Sequence, residues 1–495
     1  MSNLKDINLT EGQQKVLDNL KEFVENKDRI FVLKGYAGTG KTTLMRFLIE
    51  HLKKIKRPYK LLAPTGRASK ILANYTGSKA DTVHSMIYSY KSFNRDVENI
   101  DNLFTYNRTE TAKLHLVFEP VTIKEDSPSK VVYIIDESSM ISDFAEKIIT
   151  QAKFGTGRLL SELLGYDPRK DSKYIFVGDP AQLPPVNGYF SPAMQRDYIA
   201  QTFNYSVQEA SLTQIMRQTD NNTITQAAAS IRKLWQKAPS NKKFYGKGKV
   251  WGMLPLRNYK DIHLLTHVQD IERLYLEDVR RYGYNHTVII CRSNAGCRDM
   301  SEKIRKQLGY KKDVEKGDLL MVCQNQYTTG LMNGDMVEVV EVMQDSVYSM
   351  SSKLNTSLKF LQVKVKELFS QREFTTLLIE ESITSSTNNL DAVQQTALYV
   401  DFIIRMKKKG ITEKNDKKKF DDAMKMDQYL NALRCSYGYA ITCHKAQGGE
   451  WNNVYIHIDK RNLTLNPTKE TYQWIYTAIT RAKEKVFFVD DFFIK

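Results

Sequence analysis

Short apolar runs in the N-terminal part of the chain each stop abruptly at glycine, proline or acidic residues. Residues 30–33 (IFVL) lead into KGYAGTGK, and residues 60–63 (KLLA) lead into PTGRAS. Residues 131–135 (VVYII) lead into DESS, and residues 174–177 (YIFV) lead into GDPAQ. Runs this short, without alternation, predict strands covered on both faces, the pattern of a parallel sheet. Patterns of helical period lie between them. Val16, Leu17, Leu20, Phe23 and Val24 follow Thr10, a good N-cap, and Leu44, Phe47, Leu48 and Ile49 follow Lys41. In a parallel α/β sheet the ligand sits at the carboxyl ends of the strands, so the four polar loops are expected on one edge.

The pattern breaks between residues 86 and 130. A polar, tyrosine-bearing stretch precedes an alternating run at 114–118, with 121–123 as its expected return, so an inserted hairpin is predicted there. Residues 235–260 read as a linker. A second α/β pattern starts at 287–292 (TVIICR), carries a helix over 300–308, and resumes at 439–443, 453–458, 471–479 and 486–489. Between its two parts, residues 316–388 hold strand-like runs at 319–322, 336–342, 358–365 and 374–379, with the hairpin signal Asn333-Gly334. This predicts a small inserted β-barrel. Residues 389–430 turn to helical period with a dense charge run, expected to form a solvated helical projection rather than a nucleic-acid patch. The domain reading is therefore a first core at 1–85 and 131–217 interrupted by 86–130, and a second core at 218–315 and 431–495 interrupted by the barrel and the projection.

Composition narrows the partner. The chain has 495 residues, too many for one ordinary core, and a net charge of +16. Such an excess favours a polyanion, nucleic acid first and an anionic membrane surface second. No apolar run approaches the ~18 residues of a membrane span, and the N-terminus has no signal-like apolar region, so a cytoplasmic protein is expected. The five cysteines form no C-x-x-C pair, against both a disulfide framework and a zinc knuckle.

The chemistry is concentrated in the loops. Gly35, Gly38, Thr39, Gly40, Lys41, Thr42 and Thr43 fit the spacing G-x-x-x-x-G-K-[ST] between a strand and a helix. Glycines let backbone N–H groups wrap a polyphosphate, Lys41 reaches its outer phosphates, and the Thr42 hydroxyl suits Mg²⁺. Asp136 offers the hard oxygen that Mg²⁺ takes, and Glu137 can orient and deprotonate a water. Gln182 follows the fourth strand, where a side chain can sense the γ-phosphate. Gln13 carries an amide with both a donor and an acceptor, which suits an adenine edge.

In order along the chain, GYAGTGKTT, LLAPTGRAS, ADTVHS, IIDESSM, VGDPAQLPPV, LTQIMRQ, YAITCHKAQGGEW and YTAITRA resemble the motif series of superfamily 1 helicases. The TxHKxQG form of 442–448 and the barrel inserted before it are most similar to the RecD/Dda-like branch. The resemblance covers nearly the whole chain and is weakest over 86–130 and 345–430. It implies two RecA-like cores, ATP and Mg²⁺ between them, single-stranded DNA or a single-strand/duplex junction across them, and 5′→3′ travel. It also implies a monomer, with a single-strand-binding or replication/recombination protein as partner. Carried over by position, Gln13 reads adenine, Lys41 and Thr42 hold phosphate and metal, Asp136 and Glu137 are metal ligand and base, Gln182 is the sensor, and Arg217 and Arg481 are arginine fingers. The DNA track takes Pro64, Thr65, Thr82, His84, Asn294, Thr442, His444 and Lys445. Phe118 falls near the strand-separating pin, where a plain core phenylalanine is the competing reading.

Three alternatives remain at this level. An RNA-directed helicase or remodelling ATPase would use the same phosphate-gripping motifs. A non-catalytic nucleic-acid-binding protein would have no reason to keep Lys41, Asp136, Glu137, Gln182, Arg217 and Arg481 together. A small-molecule kinase would not explain the length, the charge or the late motifs.

Overall fold

The computed structural model describes residues 7–95, 97, 114–145, 152–186, 188–214, 222–238, 254–351, 356–385, 389–458, 468–490 and 494. Two all-parallel sheets form its centre. The first has six strands in the order Ala80–Thr82, Tyr59–Ala63, Val132–Ile135, Lys173–Gly178, Ile30–Gly35 and Val207–Leu212. Side-chain alternation divides it cleanly. Phe31, Leu33, Val132, Ile134, Ile175 and Val177 join one core with helices Glu11–Glu25 and Lys41–Lys54. Ile30, Val32, Tyr133, Ile135, Tyr174 and Phe176 join another on the opposite face. Burial on both faces is the reason these strands read as unbroken apolar runs.

The second sheet has five parallel strands in the order Ile262–Leu265, Ala482–Val489, Trp451–His457, Thr287–Cys291 and Ala440–Thr442. Helices Ile224–Lys237 and Lys469–Ile479 pack on one face through Ala227, Ile231, Ile475 and Ala478. The edge strands Ala80–Thr82, Val207–Leu212 and Ile262–Leu265 have no clear signal in the sequence. Each carries polar residues because its faces are less completely covered than those of the central strands.

A five-stranded antiparallel sheet is inserted into the second core, in the order Glu373–Ile379, Ser357–Glu367, Met336–Ser351, Leu319–Val322 and Cys435–Tyr437. Its last strand follows the helical segment, and only Gly438 and Tyr439 separate it from Ala440–Thr442. Any Cβ at Gly438 would lie 2.7 Å from Met336 Cε and 3.1 Å from the Leu320 carbonyl carbon.

Two expectations need correction. The run at 114–118 forms Leu116–Pro120, but its antiparallel partner is Tyr88–Phe93 rather than 121–123, and Ala152–Phe154 pairs parallel on its other side. Pro120 has no N–H to continue a ladder, and Val121 instead donates to the Ile87 carbonyl at 2.8 Å. The segment 389–430 is also not a free solvated arm. Helices Ala392–Lys408 and Lys417–Met426 bury Leu398, Tyr399, Phe402 and Phe420 with Phe93, Leu114 and Phe360. Its charges are partly spent internally, with Arg405 bound to Asp401 and Asp427.

Candidate functional site: a phosphate loop facing a second core

All strands of the first sheet run the same way, so the segments after Gly35, Ala63, Thr82, Ile135 and Gly178 leave from one edge, as expected. After Gly35 the chain wraps into helix Lys41–Lys54, with Gly38 at φ 78° and Gly40 at φ 83°. These angles favour glycine and let successive N–H groups point inward. The Lys41 ammonium donates to the carbonyls of Gly35 at 2.7 Å and Tyr36 at 3.2 Å. Gln13, which is 5% exposed, donates to the Thr39 carbonyl at 3.0 Å and accepts from the Thr10 N–H at 3.1 Å. Its amide thus braces the loop and caps its own helix; the Thr10-x-x-Gln13 spacing announces the cap but not the brace.

Asp136 and Glu137 follow strand Val132–Ile135. Burial, and then the neighbouring Glu137 charge, push the Asp136 carboxyl up to about 7, against the pull of Lys41. A hydroxyl at Thr42 and a carboxylate at Asp136 are hard oxygen donors of the kind Mg²⁺ takes, and a cation there would favour the ionised acid. Glu137 sits in the left-handed region at φ 49°, uncommon for a non-glycine residue and concentrated at functional sites. Gln182 is 3% exposed, and its Oε1 has no hydrogen-bond partner among the described residues. A buried amide oxygen left this way suits an external donor such as a water. Among the described residues no three His, Cys, Asp or Glu side chains gather as a metal site of their own. No helix of the described residues is long and apolar enough to cross a membrane.

The second core closes on these loops. Gln473 donates to the Gln182 carbonyl at 2.9 Å, the Thr477 hydroxyl accepts from Leu183 N–H at 3.0 Å, and Gln447 donates to the Leu183 carbonyl at 3.2 Å. Arg232 stacks over the Tyr36 ring at 3.7 Å. Arg481 is 4% exposed and makes its recorded hydrogen bonds inside the second core, to Thr477 O, Gly449 O and Thr480 Oγ1. Arg217 lies outside the described residues.

The remaining candidates stand at or beside helix N-termini. Thr65 caps helix Gly66–Thr76 by accepting from Ala68 N–H, and Thr82 caps Val83–Ile87 through Ser85 N–H. Thr442 caps Cys443–Ala446 through Lys445 N–H, and Asn294 is the first residue of Asn294–Leu308 behind the cap Ser293. Pro64, His444 and Lys445 stand beside these caps. Burial pushes the His84 imidazole down to about 4, so it is neutral at physiological pH, and it packs against Phe154 and Tyr88. His444 is lowered by the same cause. Phe118 stacks on Phe154, with centroids 4.8 Å apart, and is half-buried.

The first core also touches the inserted sheet. Lys70 pairs with Asp335 at 2.5 Å and Glu367 at 2.6 Å, two carboxylates buried in that sheet. Gly66 lies so close to Met332 that a Cβ would come within 2.5 Å of it. Arg67 stacks over Trp451 of the second core at 4.5 Å.

Two segments of the chain match known families. Residues 8–237 match the AAA domain family, and residues 437–489 match the UvrD-like helicase C-terminal domain family. The ATP-dependent DNA helicase dda of Enterobacteria phage T4 is 24% identical, over 97% of this chain and 99% of that protein. The ATP-dependent RecD2 DNA helicase of Deinococcus radiodurans is 23% identical over 97% of this chain, which spans 48% of that protein. A Bacteroides Pif1 helicase solved with ADP-AlF3 and ssDNA aligns over 99% of the chain at 18% identity, with a TM-score of 0.46. With both family segments in chain order and the sequence similarity running end to end, the chain is similar to the superfamily 1 helicases of the RecD/Dda-like branch.

Proposed function

We propose that the protein is an ATP-dependent DNA helicase that moves 5′→3′ on single-stranded DNA and opens duplex at the junction. The observation that carries this is the seam described above. Side chains of the second core hold the backbone of the loop bearing Gln182, on the edge that also carries Lys41, Asp136 and Glu137. Hydrolysis and core movement then share one set of contacts.

In this reading Gly35 to Thr43 cradle the phosphates, and Lys41 turns its ammonium from loop carbonyls to the outer phosphate oxygens. Thr42 and Asp136 hold Mg²⁺, which when bound neutralises charge on those oxygens. Glu137 and the Gln182 amide oxygen align the attacking water, and Glu137 accepts its proton. Arg217 and Arg481 supply cationic charge to the transferring group, Arg481 only after exchanging its present carbonyl partners. Helix N-termini capped by Thr65, Thr82 and Thr442, with Asn294 and Lys445, offer N–H groups and positive charge to successive phosphates. Residues 86–130 form the pin region with Phe118 at the fork, 316–388 an SH3-like barrel, and 389–430 the projection that braces the pin. The protein acts as a monomer, with a single-strand-binding or replication/recombination protein as partner.

The decisive experiment is unwinding of two partial duplexes, one with a 5′ tail and one with a 3′ tail, with ATP and Mg²⁺. Opening of the 5′-tailed substrate alone is expected. Opening of the 3′-tailed one alone would reverse the polarity, and ATP-independent opening or none would remove the helicase reading.

A further inference from the structure

Helix Lys469–Ile479 presents Gln473, Tyr476 and Thr477 on one face, one turn apart, toward the first core. Gln473 and Thr477 hold backbone groups of the Gln182 loop. Tyr476 does something different. Its hydroxyl accepts from the Ala37 N–H of the phosphate loop at 3.0 Å and donates to Asp179 Oδ2 at 2.7 Å. A phenol has one donor and acceptor lone pairs, so one oxygen can serve both. The side chain is 2% exposed and Asp179 is fully buried. Asp179 passes the contact on: its Oδ1 accepts from Ala181 N–H at 2.9 Å, and its carbonyl accepts from Gln182 N–H at 3.2 Å. A single second-core oxygen therefore spans the phosphate loop and the base of the sensor loop.

We infer that Tyr476 is a positioning residue whose hydroxyl sets the phosphate loop and the Gln182 loop in register when the two cores are together. This rests on the helicase reading above. The hydroxyl comes from the second core, so it can bridge Ala37 and Asp179 only in the closed arrangement. Opening the cleft gives both groups to water. Removing the oxygen while keeping the ring leaves a buried N–H and a buried carboxylate without their partner, a cost paid only by the closed state. The closed state is where hydrolysis occurs, so the loss falls on turnover and spares nucleotide capture by the open first core. Burial holds the phenol well above its ordinary pKa, so it stays a donor across the working range.

The test is Tyr476→Phe in the full chain, with Thr477→Val as a companion that removes the acceptor for Leu183 N–H. ATP hydrolysis is measured with and without an oligo-dT strand, nucleotide binding with a fluorescent ADP analogue, and folding by the thermal midpoint. For Tyr476→Phe, DNA-stimulated kcat falls about tenfold or more, while ADP affinity stays within about threefold and the thermal midpoint stays near wild type. Thr477→Val moves the same way by a smaller factor. Stimulated kcat within about twofold of wild type overturns the inference, as does a fall matched by equal losses in affinity and thermal midpoint. If the wild-type chain shows no DNA stimulation at all, the helicase reading fails and the inference falls with it. Stimulation kept in both wild type and Tyr476→Phe removes the inference alone.

Discussion

The Lys41 ammonium reaches back to the Gly35 carbonyl at 2.7 Å, closing the phosphate loop on itself. In the proposed function the same side chain is the loop's cation for phosphate, so Lys41→Ala removes both a charge and a tie. DNA-stimulated ATP hydrolysis is expected to fall by about 10²-fold or more. A steady-state assay giving near wild-type turnover would contradict this.

Glu137 is assigned the base, and its neutral isostere separates chemistry from binding. Glu137→Gln should keep nucleotide and single-strand affinity and lose turnover by about 10²–10⁴-fold. Equilibrium binding of a fluorescent nucleotide, beside single-turnover hydrolysis, checks it. Lost binding would show that the side chain holds the loop instead.

Lys70 compensates two carboxylates with only 4% and 6% side-chain exposure, across the junction between first core and inserted sheet. Lys70→Met removes the cation bonded to both Asp335 and Glu367 and leaves only the charge of Arg67 nearby, at a cost of about 3 kcal/mol. The thermal midpoint should drop at pH 7. Burial already raises the Asp335 carboxyl, so its protonation removes charge as pH falls, and the deficit should narrow toward pH 5. An unchanged midpoint at pH 7 would show that the junction is open in solution.

His84 gives a second pH handle. Its folded pKa is about 4, below the ordinary 6.5, so between these values only the unfolded chain takes up the proton. Its contribution to stability is complete above 6.5 and declines as pH drops toward 4. In His84→Gln, the loss of thermal midpoint from pH 7 to pH 5 should be smaller than in wild type. The salt dependence of single-strand binding at pH 7 should not change, because a neutral imidazole releases no counterion.

Phe118→Ala tests the pin. Translocation-coupled ATP hydrolysis on single strands should persist, while unwinding of a tailed duplex falls. Equal loss of both would assign Phe118 to the aromatic packing with Phe154 and Tyr90 alone.

The central strands of both parallel sheets, and the loops after them, were legible because doubly buried strands write themselves as unbroken apolar runs. The edge strand Val207–Leu212 was not, since both its faces are incompletely covered and accept Gln208 and Glu209. Tyr88–Phe93 was missed because its alternation is carried by tyrosine against serine and lysine, which reads as polar loop. In the site, the spacing around Lys41, Thr42, Asp136, Glu137 and Gln182 was enough to place them on one edge. The brace from Gln13 and the bridging hydroxyl of Tyr476 depend on contacts between segments far apart in the chain. Capping by Thr65, Thr82 and Thr442 needed only local geometry, yet a hydroxyl after a strand reads equally well as a ligand grip.

The inserted sheet returns to the second core by a very short tether. Strand Cys435–Tyr437 is zipped to Leu319–Val322, and Ala440 begins the core strand that ends at Thr442. Gly438 anchors the passage with its N–H on the Leu319 carbonyl at 2.8 Å. With no slack to absorb a twist, rotation of the sheet against the core would be delivered straight to the cap of Cys443–Ala446. The insertion is thus joined with almost no free chain to the strand that ends at the Thr442 cap.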